Sequence, residues 1–371
     1  MTGAAKVATT TARIRPDVQA MHAYKVQDAK GMVKLDAMEN PYTLAPELQA
    51  ALGARLGAVA LNRYPANRID DLKQALAQYT GLPDGYGLML GNGSDELISL
   101  LALACYQPGG VVLAPEPGFV MYSLSAQLQR LKFVGVPLTA DFALDVPAML
   151  AAIAEHKPII VYLAYPNNPT ANAWSASAMR EVIAAAANVG TLVVVDEAYQ
   201  PFASHTWLDE IKAQPTQNAS VLLMRTLSKF GLAGVRIGYL VAPVPLIEQL
   251  DKVRPPYNVS VLNAECALFA LEHAAVFAEQ AHKIRSQRTM LLKKLQMLPG
   301  VTPYPSEANM VLVRLAGDAD KAGQVFEAMK ARGVLVKNVS TMHPLLANCL
   351  RLTIGSTDEN AQMLSALKAS L

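Results

Sequence analysis

From about residue 88 onward the chain alternates short, wholly apolar runs with stretches that carry apolar residues at helical spacing. An apolar run without polar alternation predicts a strand covered on both faces, as in parallel sheets. Residues 88–90, 111–114, 133–136, 159–164, 192–195, 221–224 and 237–241 fit that description. Helical patterns start at Ser94 and cover residues 122–131. Proline and glycine fall where strands should end, at Pro115-Glu116-Pro117-Gly118, at Tyr165-Pro166-Asn167-Asn168-Pro169 and at Gly190. The fold class is therefore α/β with a mostly parallel central sheet. Ligands of such sheets sit beyond the carboxyl ends of the strands, so these punctuated ends are where chemistry is expected.

After Arg254-Pro255-Pro256 the pattern changes. A long helical stretch over 261–298 precedes a strand at 309–314, a helix near 319–332, strands at 334–336 and 350–354, and a last helix from Asp358. This predicts a second, smaller α+β domain. The expected division is an N-terminal tail and arm over 1–40, a large domain over 41–256 and a small domain over 257–371. No repeat or low-complexity linker separates the domains, which puts the expected site in the crevice between them.

Composition narrows the class. With 371 residues, 52% of them apolar and 17% charged, the chain is globular and too long for one small core. The net charge of +2 and the lack of basic runs interleaved with aromatics argue against a nucleic-acid partner. Cys105, Cys266 and Cys349 are far apart in apolar surroundings, as expected of free thiols in a reducing compartment. The histidines form no metal-ligand spacing, so a metal site is not expected. No apolar run has membrane-spanning length, and residues 1–15 lack the apolar centre of a secretory leader. A mobile tail on a cytoplasmic protein is the expectation.

The densest chemistry lies in Thr226-Leu227-Ser228-Lys229-Phe230-Gly231, with Arg236 following and the apolar run ending in Asp196 before it. Pyridoxal phosphate needs an amine for its aldehyde, an anion against its ring nitrogen and donors around its phosphate. Lys229, Asp196, and the group Thr226, Ser228 and Arg236 offer those parts. Gly91-Asn92-Gly93-Ser94-Asp95-Glu96 follows a strand and opens a helix, so its backbone N–H groups suit an anion. It is not a dinucleotide fingerprint, because Glu96 stands where the third glycine belongs. An ordinary helix start with Ser94 as N-cap is the alternative.

In order and spacing these segments resemble the fold-type I pyridoxal-phosphate aminotransferases over almost the whole chain. The resemblance implies that Lys229, Asp196 and Tyr199 are catalytic. Ser94, Asp95, Glu96, Thr226, Ser228 and Arg236 would surround the cofactor phosphate, with Tyr64 reaching in from the other subunit of a homodimer. Phe119 would stack on the pyridine, and Asn168 and Tyr199 would donate to its phenolic oxygen. Two departures stand out: Ala171 replaces a usual glycine, and Arg236 follows Lys229 by one residue fewer than in many members.

Met38-Glu39-Asn40-Pro41-Tyr42, Arg63-Tyr64-Pro65 and the Leu350-Arg351-Leu352-Thr353-Ile354-Gly355 segment resemble the histidinol-phosphate branch of that family. That branch implies transamination between glutamate and imidazole-acetol phosphate in histidine synthesis. Arg351 would hold the substrate carboxylate; Lys337, Tyr24 and Asn92 are candidates for the substrate phosphate. An aromatic or broad-specificity aminotransferase, a related decarboxylase and a cofactor-free binding protein are the competing assignments.

Overall fold

The computed structural model describes residue 7 and residues 10–23, 27–65 and 67–371. Residues 1–31 and 32–371 form separate compact units. The described residues of the first include the helical turn Pro16–Gln19, with Arg15 paired to Asp17. The second opens with β1 (Val33–Lys34) and holds all the remaining strands.

Its main sheet comprises β2 (Tyr86–Gly91), β3 (Val111–Glu116), β4 (Lys132–Pro137), β5 (Ile160–Ala164), β6 (Leu192–Asp196), β7 (Val221–Thr226) and β8 (Gly238–Pro243). The order is β2-β8-β7-β6-β5-β3-β4. Only β8 runs against its neighbours, pairing antiparallel with both β2 and β7. Every residue of β5 and β7 is buried, as the apolar runs over 160–164 and 221–224 require. Helices such as Ser94–Ala104, Val146–His156 and Ala176–Asn188 turn their apolar faces onto the sheet, with Leu97, Ile153 and Val182 fully enclosed.

A second sheet holds β9 (Val301–Pro303), β10 (Met310–Leu315), β12 (Lys337–Asn338) and β13 (Cys349–Thr353), all antiparallel, in the order β12-β13-β10-β9. β11 (Val334–Leu335) instead pairs in parallel with β1, which ties the start of this unit to its far end. The predicted strands therefore recur within a residue or two. The predicted helix over 261–298 does not: it breaks at His273 into Val261–Glu272 and Ala274–Gln296, bent by 77°. The two halves bury against different partners. The first packs on helices Pro46–Gly57 and Arg68–Thr80, the second on β9 and on helix Thr357–Lys368, and a straight rod could not reach both.

One buried ion pair braces the centre of the main sheet. Glu197, directly after β6, accepts a hydrogen bond of 2.9 Å from Arg225 Nε on β7, and also bonds from the Thr206 hydroxyl and the Trp207 N–H. Both members of the pair are buried, Glu197 at 1% and Arg225 at 6% exposure. Removing one partner of such a pair leaves an uncompensated charge. Glu197→Ala should lower stability by about 3–5 kcal/mol, read as a drop in the urea midpoint; a midpoint equal to that of the natural protein would show that Arg225 finds water instead.

Candidate active site

The ends of β2, β3, β5, β6 and β7 and the start of β8 meet at one edge of the sheet, because Gly91 pairs with Gly238, Gly238 with Thr226, and Ala164 with Asp196. The segments leaving that edge enclose a cavity of about 360 Å³. Ser94, Asp95, Phe119, Asn168, Asp196 and Tyr199 line it, as do Thr226, Ser228, Lys229 and Arg236.

Lys229 sits on a tight turn, Ser228–Leu232, that is kinked at Gly231 and follows β7 after Leu227. The turn is possible because Gly231 adopts φ 136°, and a Cβ there would lie 2.8 Å from Phe277. Lys229 Nζ donates to the Ala37 carbonyl at 2.9 Å. Burial, and then the nearby Arg351 guanidinium, bring its amine down to about 8 from the usual lysine range. That raises the fraction of neutral, nucleophilic amine available near physiological pH.

Asp196 ends β6, 5% exposed, and its Oδ2 accepts from the Tyr122 hydroxyl at 2.7 Å while Oδ1 accepts from the Ala198 N–H at 3.0 Å. Burial pushes this carboxyl up to about 6 despite those donors. Among the described residues no lysine or arginine pairs with it, so the arrangement is incomplete without a cation or a protonated ring nitrogen beside it. Asn168 presents its Oδ1 to Arg351, 2.7 Å away. Arginine can only donate, so this contact orients the amide and leaves Asn168 Nδ2 as the free donor. Tyr199 lies 5% exposed, with Lys229 Nζ 6.0 Å from its ring centre, and burial raises its hydroxyl's pKa.

An anion-binding end faces these groups. The helix Ser94–Ala104 starts with Gly93 at φ 82° and without any side-chain cap, so Ser94 is not an N-cap. Its first-turn N–H groups therefore remain available to a bound anion. Arg236 reaches the same place, 3.4 Å from both Ser228 Oγ and Asp95 Oδ2. Its backbone is left-handed, at φ 54°, which turns the shortened loop back to the cavity wall. Such strain at a cavity is the kind that function retains. The fit is that of an aromatic aldehyde with a ring nitrogen and a phosphate: amine, buried carboxylate, stacking ring and anion cradle all border one space.

The model of aminotransferase class I and II matches residues 30–367. The chain belongs to this aminotransferase family. A histidinol-phosphate aminotransferase of Paracidovorax citrulli is 65% identical, the match covering 98% of this chain and 99% of that one. Another, of Polaromonas naphthalenivorans, is 62% identical over 96% of each. Among solved structures, the histidinol-phosphate aminotransferase of Sinorhizobium meliloti in complex with pyridoxal-5′-phosphate superposes with a TM-score of 0.85 at 26% identity, covering 96% of this chain and 97% of that one.

Several predicted residues of this aminotransferase stand outside the cavity wall. Glu96 turns away and accepts from the Asn92 N–H and from Asn258 Nδ2. Asn92 is exposed and does not line the cavity. Tyr64 is 73% exposed and stacks on Tyr257 at 4.2 Å. Arg351 is buried behind the wall on Asn168 and on the Asp36 carbonyl, and Lys337 pairs with it across β12 and β13. Tyr24 lies outside the described residues.

Conversely, sequence reasoning assigned no role to Tyr122 or to the Ala37–Glu39 stretch, all of which line the cavity. Tyr122 could have been found, because it stands three residues after Phe119 at the start of a helix, where that spacing keeps side chains together. Ala171 is left-handed, at φ 66°, which explains why a glycine suits that position. Alanine costs about 1–2 kcal/mol there. Its lower unfolded-state freedom returns about 0.4–1 kcal/mol, and its buried methyl about 0.8 kcal/mol. The exchange is close to neutral.

The lowered Lys229 amine predicts a pH dependence. In cofactor-free protein, the rate at which an added aromatic aldehyde condenses with Lys229 should rise with pH through about 8, since only the neutral amine attacks. Arg351→Ala should move that midpoint upward, because a neighbouring cation is removed; an unmoved midpoint would separate Arg351 from the lysine.

Proposed function

We propose that this aminotransferase uses pyridoxal 5′-phosphate to move an amino group from glutamate to imidazole-acetol phosphate, giving 2-oxoglutarate and histidinol phosphate, in histidine synthesis. The observation that carries the substrate is a pair of cations. Lys337 and Arg351 stand directly opposite each other on antiparallel strands, so both side chains leave the same face of the sheet. Like charges so placed repel unless an anion lies between or beside them. A substrate with a phosphate at one end and an amino group at the other suits that arrangement, and relatives at 62–65% identity carry the same name.

When bound, the cofactor supplies an aldehyde for an amine and a ring that accepts the electron pair left as a Cα–H bond breaks. Lys229 would anchor it, and Nζ would carry the proton away from the substrate's Cα. Asp196 would keep the ring nitrogen protonated. Asn168 Nδ2 and Tyr199 would donate to the phenolic oxygen, Phe119 would cover the ring, and Arg236, Ser228, Thr226 and the first turn after Gly93 would receive the phosphate. Arg351 takes the carboxylate when glutamate enters, and charge-assisted bonds of that kind are about twice as strong as neutral ones. Donor and acceptor use the site in turn, so the kinetics are ping-pong.

In this reading residues 41–256 hold the cofactor, residues 257–371 supply Arg351 and Lys337, and residues 1–40 form an arm. The enzyme works in the cytoplasm as a homodimer. Leu61, Tyr64 and Tyr257 are 69%, 73% and 54% exposed, an apolar surface suited to a second copy, through which Tyr64 completes the partner's phosphate site.

Lys337→Ala should lower kcat/KM for histidinol phosphate by about 10- to 150-fold, the equivalent of one hydrogen bond to a charged group, and leave histidinol much less affected. A ratio between the two substrates near one in the natural enzyme would favour a broad-specificity aminotransferase; a high ratio unmoved by the substitution would clear Lys337 alone. Mixing Tyr64→Phe with Lys229→Ala protomers tests the shared site: activity should recover as exchange yields heterodimers with one intact site, and no recovery after proven exchange would assign each site to one chain.

A further inference from the structure

Asp196 is held from behind by a stack of aromatic rings. Tyr122, 2% exposed, gives its hydroxyl to Asp196 Oδ2 at 2.7 Å. Its ring lies flat on Tyr162, with centroids 4.3 Å apart and planes 7° from parallel. Phe119 also meets Tyr122, in a T-shaped contact with centroids 5.7 Å apart and planes at 86°. The ring expected to cover the cofactor and the carboxylate expected beneath its nitrogen thus share one brace. Tyr162 itself, 1% exposed, has a buried hydroxyl with no hydrogen-bond partner among the described residues. Its place is accounted for by its ring, not its oxygen, so the pair of tyrosines separates packing from hydrogen bonding.

We propose that Tyr122 is a positioning residue whose hydroxyl aims Asp196 and keeps it ionised, and thereby decides whether the shared proton rests on the cofactor's ring nitrogen or on the carboxylate. This rests on the cofactor assignment above and adds the group that makes it work. A carboxylate taken out of water gains proton affinity, and each donor that binds it takes some of that affinity away. The Ala198 N–H supplies one donor from the backbone, and Tyr122 is the side-chain donor. Without it the neutral pair, with the proton on Asp196, gains by about 10- to 150-fold, the weight of one hydrogen bond to a charged group. The cofactor then loses the positive charge that draws electrons from the substrate.

The test uses holoenzyme reconstituted with cofactor labelled with ¹⁵N in the pyridine ring. In the natural enzyme the nitrogen should resonate as a pyridinium. Tyr122→Phe keeps the ring and the stack; its nitrogen should shift toward the unprotonated value, with kcat for the glutamate half-reaction down about 10- to 150-fold. Tyr162→Phe removes the hydroxyl without a partner among the described residues and should leave both quantities unchanged. An unmoved resonance in Tyr122→Phe overturns the proposal, as does an equal shift in Tyr162→Phe, which would assign the effect to packing. An unprotonated nitrogen in the natural enzyme would instead remove the charge role of Asp196, a failure of the underlying assignment that this measurement distinguishes.

Discussion

A carboxylate at the buried end of a central strand is costly to leave charged, and the surroundings of Asp196 are organised by that cost. β6 carries it to the sheet edge between β5 and β7, where it is only 5% exposed. Its oxygens take bonds from Tyr122 and from Ala198 N–H, yet burial still raises its proton affinity. The remaining demand is for a positive partner. Lys229 does not meet it; that amine is itself pushed toward neutrality by burial and by Arg351. A site with a carboxylate that wants a cation and a lysine that resists being one is poised for a molecule that supplies a protonated nitrogen and takes an amine.

Much of this was legible in the residues, and the limits are physical. Buried parallel strands announce themselves because their central positions are continuously apolar, so β5, β6 and β7 could be placed from pattern alone. The break at His273 could not. Its cause is tertiary, since the two half-helices serve different neighbours, and local spacing carries no record of that. Glu96 illustrates a second limit. Position in a motif locates a backbone, but the side chain one turn into the helix faces Asn258 rather than the cavity. Tyr122 escaped for the opposite reason: its sequence neighbourhood was noted, but its partner lies 74 positions away.

The departures from the family pattern have local explanations. Ala171 tolerates a left-handed backbone because strain, chain entropy and methyl burial nearly cancel. Arg351 sits behind the wall, yet through Asn168 it governs which amide atom faces the cavity, so it acts on the cofactor end of the site as well as on the carboxylate it is expected to bind.

At the start of β8, Gly238 is pressed against the backbone of Gly93 and Ser94; a Cβ there would come within 2.6 Å of both. It is also in register with Gly91 on one side and Thr226 on the other. Strand β8 is thereby clamped in three directions, and it cannot slide to absorb a gain or loss of residues nearby. Any change in length must be taken up within the loop between Lys229 and Arg236. Evolution is left with a short hinge of adjustable length between two immovable anchors, and family members can differ by a residue there without disturbing either the amine or the strand that follows.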